Sequence, residues 1–115
     1  MSGIEDWDGY NAALRARGKE LSALHPEMVK GFGALSRGAS TTTHLDAKTR
    51  ELIALAVAVT TRCQGCLDAH ARKARVAGAT KEEVAEALGV AIALNAGAAF
   101  TYTLHALDAM DQAGV

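Results

Sequence analysis

From Ala87 to Leu107 the chain carries no Asp, Glu, Lys or Arg, and this run limits the possible folds more than any other feature. A helix over that stretch is long enough to cross a bilayer. Gly89, Asn95, Gly97, Thr101, Thr103 and His105 dilute it, however, and alanine is only weakly apolar, so a membrane span is disfavoured. The remaining solution is helix buried on most sides. The step Asn95-Ala96-Gly97 predicts a break, with a last helix over about Ala98 to Met110. A chain of 115 residues does not easily cover two such helices alone, so the run predicts a subunit interface.

The rest of the chain points to the same class. Hydrophobic residues make up 50% but aromatics only 4%, so the apolar mass is largely Ala, Leu and Val, of which Ala and Leu favour helix. Pro26 is the one proline, far too little punctuation for a turn-rich β architecture. The length fits a single domain over residues 1–115 that buries its own core. Local signals divide it into about six helices. A first covers 7–23. A second opens at Pro26 and runs to about Arg37. Asp46 caps a third to about Thr60, and a fourth runs from Gln64 to Ala77 with Gly78 as its C′ residue. Thr80-Lys81-Glu82-Glu83 is a capping box opening the fifth. The expectation is an all-α fold with a central antiparallel helix pair.

Charge and the N-terminus exclude several functions. The net charge is -1, with no basic block and no aromatic-interleaved basic stripe, so nucleic acid is not an expected partner. The first residues are acidic and lack an apolar stretch of the kind that directs export, so a cytoplasmic location is expected. In that reducing compartment a pair of cysteines is more often catalytic or metal-binding than a structural bridge.

That pair is Cys63-Gln64-Gly65-Cys66, at the mouth of the fourth helix. Unpaired N–H groups there favour a thiolate, and the spacing lets the two sulfurs close a small disulfide ring. His70 lies four residues after Cys66, on the same helical stripe, where an imidazole can activate a thiol. Glu51 is placed by hairpin arithmetic: the midpoint of 51 and 70 falls at Thr60-Thr61, where the connection is expected. Antiparallel packing then sets Glu51 and His70 at similar heights, in a seam of alanines, with Glu51 poised to orient His70 or relay protons. In the expected order, His70 takes a proton from Cys66, Cys66 attacks an oxidant, and Cys63 condenses with the product; the reverse roles are open because Cys63, nearer the helix start, is the candidate for the more exposed sulfur. A zinc site would need a fourth ligand beside Cys63, Cys66 and His70, from His44 or His105, and is disfavoured. No cofactor is expected. Arg62, Arg72, Lys73 and Arg75, and likewise Asp68, read as a solvated face, and His105 as a residue that packs or hydrogen-bonds at an interface.

Glu51, eleven intervening residues, the Cys63–Cys66 pair, three more residues and His70 together resemble the alkylhydroperoxidase D (AhpD)-like branch of the carboxymuconolactone decarboxylase family. Residues 45–77 resemble its core segment, and Leu104-His105-Ala106-Leu107 the end of that core. The resemblance implies an all-α fold and homo-oligomers, trimers or hexamers. It also implies hydroperoxide reduction by Cys63 and Cys66 with Glu51 and His70 as proton relay, recharged by a lipoylated or thioredoxin-like dithiol donor. Gly65 stands where the longer peroxidases of this branch carry histidine, and their extra N-terminal helical segment is not expected here in full. Three other readings remain beside it: a general disulfide reductase, a non-redox lactone decarboxylase or isomerase using Glu51 and His70, and a structural oligomer with a vestigial site.

Overall fold

A computed structural model describes residues 3–114, and among them all regular structure is helical. Five α-helices follow one another: α1 (Trp7–Leu24), α2 (Pro26–Ala39), α3 (Ala47–Thr61), α4 (Gln64–Val76) and α5 (Lys81–Gln112). The chain divides into two compact units between Arg50 and Glu51.

The first unit is built from local signals. Asp6 caps α1 by accepting the Gly9 N–H at 3.2 Å. His25 is the single residue between α1 and α2, ending one helix and preceding the next. Pro26 follows it at the first helical position, where a missing N–H costs nothing. At the end of α2 the hydroxyls of Ser40 and Thr41 both donate to the Arg37 carbonyl, at 2.9 and 3.0 Å. In the loop that follows, Thr42 donates to the Leu45 carbonyl at 2.9 Å and accepts from Arg50 Nη1 at 2.8 Å. Asp46 then caps α3 by accepting the Thr49 N–H at 2.8 Å. That backbone bond, then the Thr49 hydroxyl, hold the Asp46 carboxyl below the usual carboxylate range.

The second unit holds the buried core. Its buried apolar residues are Leu55 and Ala58 of α3, Ala74 of α4 and Ala91 of α5. Three of the four are alanines, whose small side chains let helices approach closely. Between α3 and α4 the chain reverses over Arg62 and Cys63. The Arg62 N–H donates to the Val59 carbonyl at 3.3 Å and the Cys63 N–H to the Ala58 carbonyl at 3.0 Å. Arg62 takes the left-handed conformation this pattern requires, with φ 56°. The reversal after α4 repeats the pattern: Gly78 N–H to Arg75 O at 3.0 Å and Ala79 N–H to Ala74 O at 2.9 Å, with Gly78 at φ 90°. Thr80 and Glu83 then close the expected capping box at 3.1 and 2.9 Å.

One expectation fails here. The break at Asn95-Ala96-Gly97 does not occur; α5 continues through it, so there are five helices rather than six. The Asn95 amide donates to the Ala91 carbonyl of its own helix at 2.7 Å instead of capping a new one. Asn and Gly cost a helix at most about 1 kcal/mol each, which the flanking alanines and leucines offset. The result is a helix about 48 Å long. Ala91 is its buried residue, and every described residue beyond it is exposed in the single chain, including Ile92, Leu94, Phe100, Tyr102, Leu107 and Met110. The helix is long and apolar enough to cross a membrane by length and composition, with mean hydropathy 1.5 over its most apolar window.

Candidate functional site

Two helices and the turn between them assemble the site. Glu51 lies in the first half of α3 and His70 in the middle of α4, and the two-residue reversal at Arg62–Cys63 brings them together. Glu51 Oε1 and His70 Nδ1 are 2.6 Å apart. The carboxylate is buried, with 7% of its side chain exposed, against 30% for the imidazole. An ionised Glu51 can only accept, so the imidazole donates its Nδ1–H and a neutral ring keeps its lone pair on Nε2. The histidine is thus oriented by a partner shielded from water, while the opposite ring nitrogen is left for chemistry. Leu55 and Ala58, one and two turns further along α3, are buried in the same seam.

Cys63 and Cys66 occupy the start of α4. Cys63 is the N-cap residue, and its sulfur accepts the Cys66 N–H at 3.3 Å. The two sulfurs are joined in a disulfide, with Cα atoms 5.3 Å apart. The helix N-terminus therefore directs a backbone donor at the Cys63 sulfur, the arrangement that stabilises a thiolate when the bond is reduced. The nearer sulfur to the helix start is not the more exposed one: Cys66 is exposed and Cys63 half-buried, because capping turns Cys63 in toward the first turn. His70 follows Cys66 by one helical turn, as neighbours on the same stripe.

One sequence expectation is corrected on α4. Asp68 is buried rather than solvated, and Arg72 Nε donates to both of its oxygens, at 3.2 and 3.0 Å. Arg72 is correspondingly an ion-pair partner, its own side chain 55% exposed. The Asp68/Arg72 spacing of four residues was the available signal, since opposite charges so spaced on a helix face each other. Burial of the carboxylate has no such local signal. Arg62, Arg72, Lys73 and Arg75 are exposed as expected. His105 lies on the exposed end of α5 with its ring against Tyr102, centroids 5.0 Å apart. Among the described residues, no three His, Cys, Asp or Glu side chains are grouped as a metal-binding set.

The chain has relatives along most of its length. A protein of Haemophilus influenzae, described as uncharacterized, is 54% identical over 104 residues, covering 90% of this chain and 92% of that one. "Uncharacterized protein 4 in cox locus" of Paracoccus denitrificans is 42% identical over 93 residues, 81% of this chain and 84% of the relative. Among solved structures, the apo form of a carboxymuconolactone decarboxylase family protein from Legionella pneumophila superposes with a TM-score of 0.67 at 34% identity, covering 88% of this chain and 90% of that chain. A Methanobacterium thermoautotrophicum protein superposes with a TM-score of 0.68 at 30% identity, covering 74% and 96%. The family model of the carboxymuconolactone decarboxylases matches residues 26–109, a span that contains Glu51, the cysteine pair, His70 and most of α5. This all-helical chain belongs to the carboxymuconolactone decarboxylase family.

Proposed function

We propose that this chain is a thiol-dependent hydroperoxide reductase of the AhpD-like branch, acting in the cytoplasm. The observation that carries the reading is the 2.6 Å bond from His70 to the buried Glu51, one helical turn from a cysteine pair able to form a disulfide. A carboxylate that holds an imidazole beside a thiol is what general-base activation requires.

The cycle balances with the residues named. In the reduced enzyme, His70, oriented by Glu51, takes the proton from Cys66. The thiolate attacks the terminal oxygen of a hydroperoxide ROOH; the O–O bond breaks, Cys66 becomes a sulfenic acid, and the proton returns from His70 to the leaving alkoxide as ROH. The Cys63 sulfur attacks the sulfenic sulfur, water leaves, and the disulfide forms. A lipoylated or thioredoxin-like dithiol then exchanges with that disulfide, restoring both thiols and becoming oxidised itself. The exposure of Cys66 supports its role as the attacking sulfur. The N-cap bond to the Cys63 sulfur supports its role as the leaving thiolate during recharging.

Steady-state hydroperoxide turnover with several dithiol donors tests the reading. One equivalent of hydroperoxide is expected to consume two thiols per reduced chain, with the loss of two hydrogens in mass. His70→Ala is expected to lower turnover by about 10²-fold or more. Turnover that survives serine at both cysteine positions would instead favour a lyase or isomerase using Glu51 and His70 alone.

The working form is proposed to be a homo-oligomer, a trimer or hexamer, in which the far end of α5 is covered. Each large apolar side chain there gains roughly 1.5–3 kcal/mol on burial, and Ile92, Leu94, Phe100 and Met110 are all more than 60% exposed in the single chain. Sedimentation at falling protein concentration tests this; a monomer at all concentrations would overturn it.

A further inference from the structure

We propose that the cleft between α3, α4 and α5 binds a free single-chain aliphatic carboxylate. It is an open cleft of about 600 Å³, within the range of small-molecule sites. Its floor is Leu55 and Ala74, both almost completely buried, and one wall is Val84 and Leu88 of α5. The charged groups lining it are Arg75 and Lys81, both exposed cations, and no acidic side chain lines it. An apolar trough flanked by two cations and no anion suits a hydrocarbon chain with a negative head. A neutral chain would leave the cations unused, and a small polar anion would leave the floor unfilled.

The cleft does not involve either cysteine, so the proposal stands independently of the redox reading. The two regions do share helices. Leu55 is one turn beyond Glu51 on α3, and Ala71, which also lines the cleft, follows His70 on α4. A bound acid therefore lies against the same helix pair that carries the imidazole.

The test is a calorimetric titration of the oxidised full-length chain, as the oligomer it forms, with hexanoate, octanoate and octanol at low ionic strength. Amide shifts in an NMR spectrum locate the site. Saturable octanoate binding is expected, with shifts over Ala71–Ala74 and Ala79–Leu88. Each methylene withdrawn from water tightens binding about fourfold, so hexanoate, two methylenes shorter, is expected to bind about fifteenfold more weakly than octanoate. Octanol, and octanoate added to Arg75→Gln/Lys81→Gln, are each expected to bind at least fivefold more weakly than octanoate to the unaltered chain. The last difference should shrink in high salt. Ala71→Leu, at an exposed helical position, fills the cleft and is expected to abolish binding without loss of helicity. Equal affinity for octanol and octanoate would overturn the proposal. So would shifts confined to the far end of α5, or no saturable binding because a second copy of the chain fills the cleft.

Discussion

The reversals at either end of α4 use the same pair of backbone hydrogen bonds, but with different residues at the left-handed position. After α4 that residue is Gly78, for which a positive φ carries no steric penalty. Before α4 it is Arg62, for which the left-handed conformation costs roughly 1–2 kcal/mol. The turn after α4 only has to release one helix and start the next. The turn before it also has to set Cys63 at the N-cap and bring His70 against Glu51. A non-glycine outlier directly beside the cysteine pair is the kind of local strain that persists when the surrounding structure over-determines it. The difference teaches that a turn's chemistry is optimised where stability alone is at stake, and is overridden where a site depends on its geometry.

That contrast can be broken experimentally. The largest effect is expected from one alanine inserted after Arg62, which turns α4 by about 100° relative to α3. Peroxide turnover should fall at least about 100-fold, whereas the same insertion after Ala79 should leave turnover within about threefold. Equal losses would mean that the two turns do not differ in what they position. Next in size, Gly78→Ala should lower unfolding stability by about 1–2 kcal/mol in urea titrations. Thr80→Ala, which removes half of the capping box just beyond Gly78, should cost about 1 kcal/mol on the same measurement. In the opposite direction, Arg62→Gly should relieve about 1–2 kcal/mol of strain, partly offset by the freedom the unfolded chain gains, for a net stabilisation of about 0.5–1 kcal/mol, and should reduce turnover because the turn loses definition. A glycine there that left both quantities unchanged would remove strain from the account.

The smallest effect concerns the cap at the other end of α3. Asp46 has its carboxyl held down in the folded chain, first by the Thr49 backbone bond, so it binds its proton less readily folded than unfolded. Its contribution to stability is therefore present above the ordinary carboxylate range and is lost as pH falls through the lowered folded value. Asp46→Asn should slightly lower stability at neutral pH, where the charged cap contributes, and flatten the acid limb of a stability-versus-pH curve, so that the two chains converge at low pH.

How much could be read in advance follows the same division between local and distant causes. Pro26, Asp46, Gly78 and the Thr80–Glu83 box act on their own helix ends, so each declares itself in a few neighbouring residues. The Glu51–His70 pairing was accessible by counting from a single short connection, because antiparallel helices convert sequence distance into height. Arg62 gave no warning, since nothing about an arginine signals a positive φ. The burial of Asp68 was hidden for a different reason: it depends on what lies over that face of α4, not on the residues beside it in sequence. The order of exposure of the two sulfurs was inverted by a capping contact that only the folded turn reveals. The continuity of α5 was missed because two weak breakers were weighed more heavily than the long run of good helix formers around them.

The polar groups inside the long uncharged run have one more consequence. Asn95 directs its amide to the Ala91 carbonyl, and the Thr103 hydroxyl donates to the Ala99 carbonyl at 2.8 Å, so both bond to the backbone one turn earlier. One Asn95 N–H and the Thr103 hydroxyl hydrogen are thus matched before anything approaches from outside. Apolar surroundings would therefore leave the Thr103 hydrogen matched but strand the second Asn95 N–H and its side-chain oxygen, so whatever encloses Asn95 has to present a polar group there.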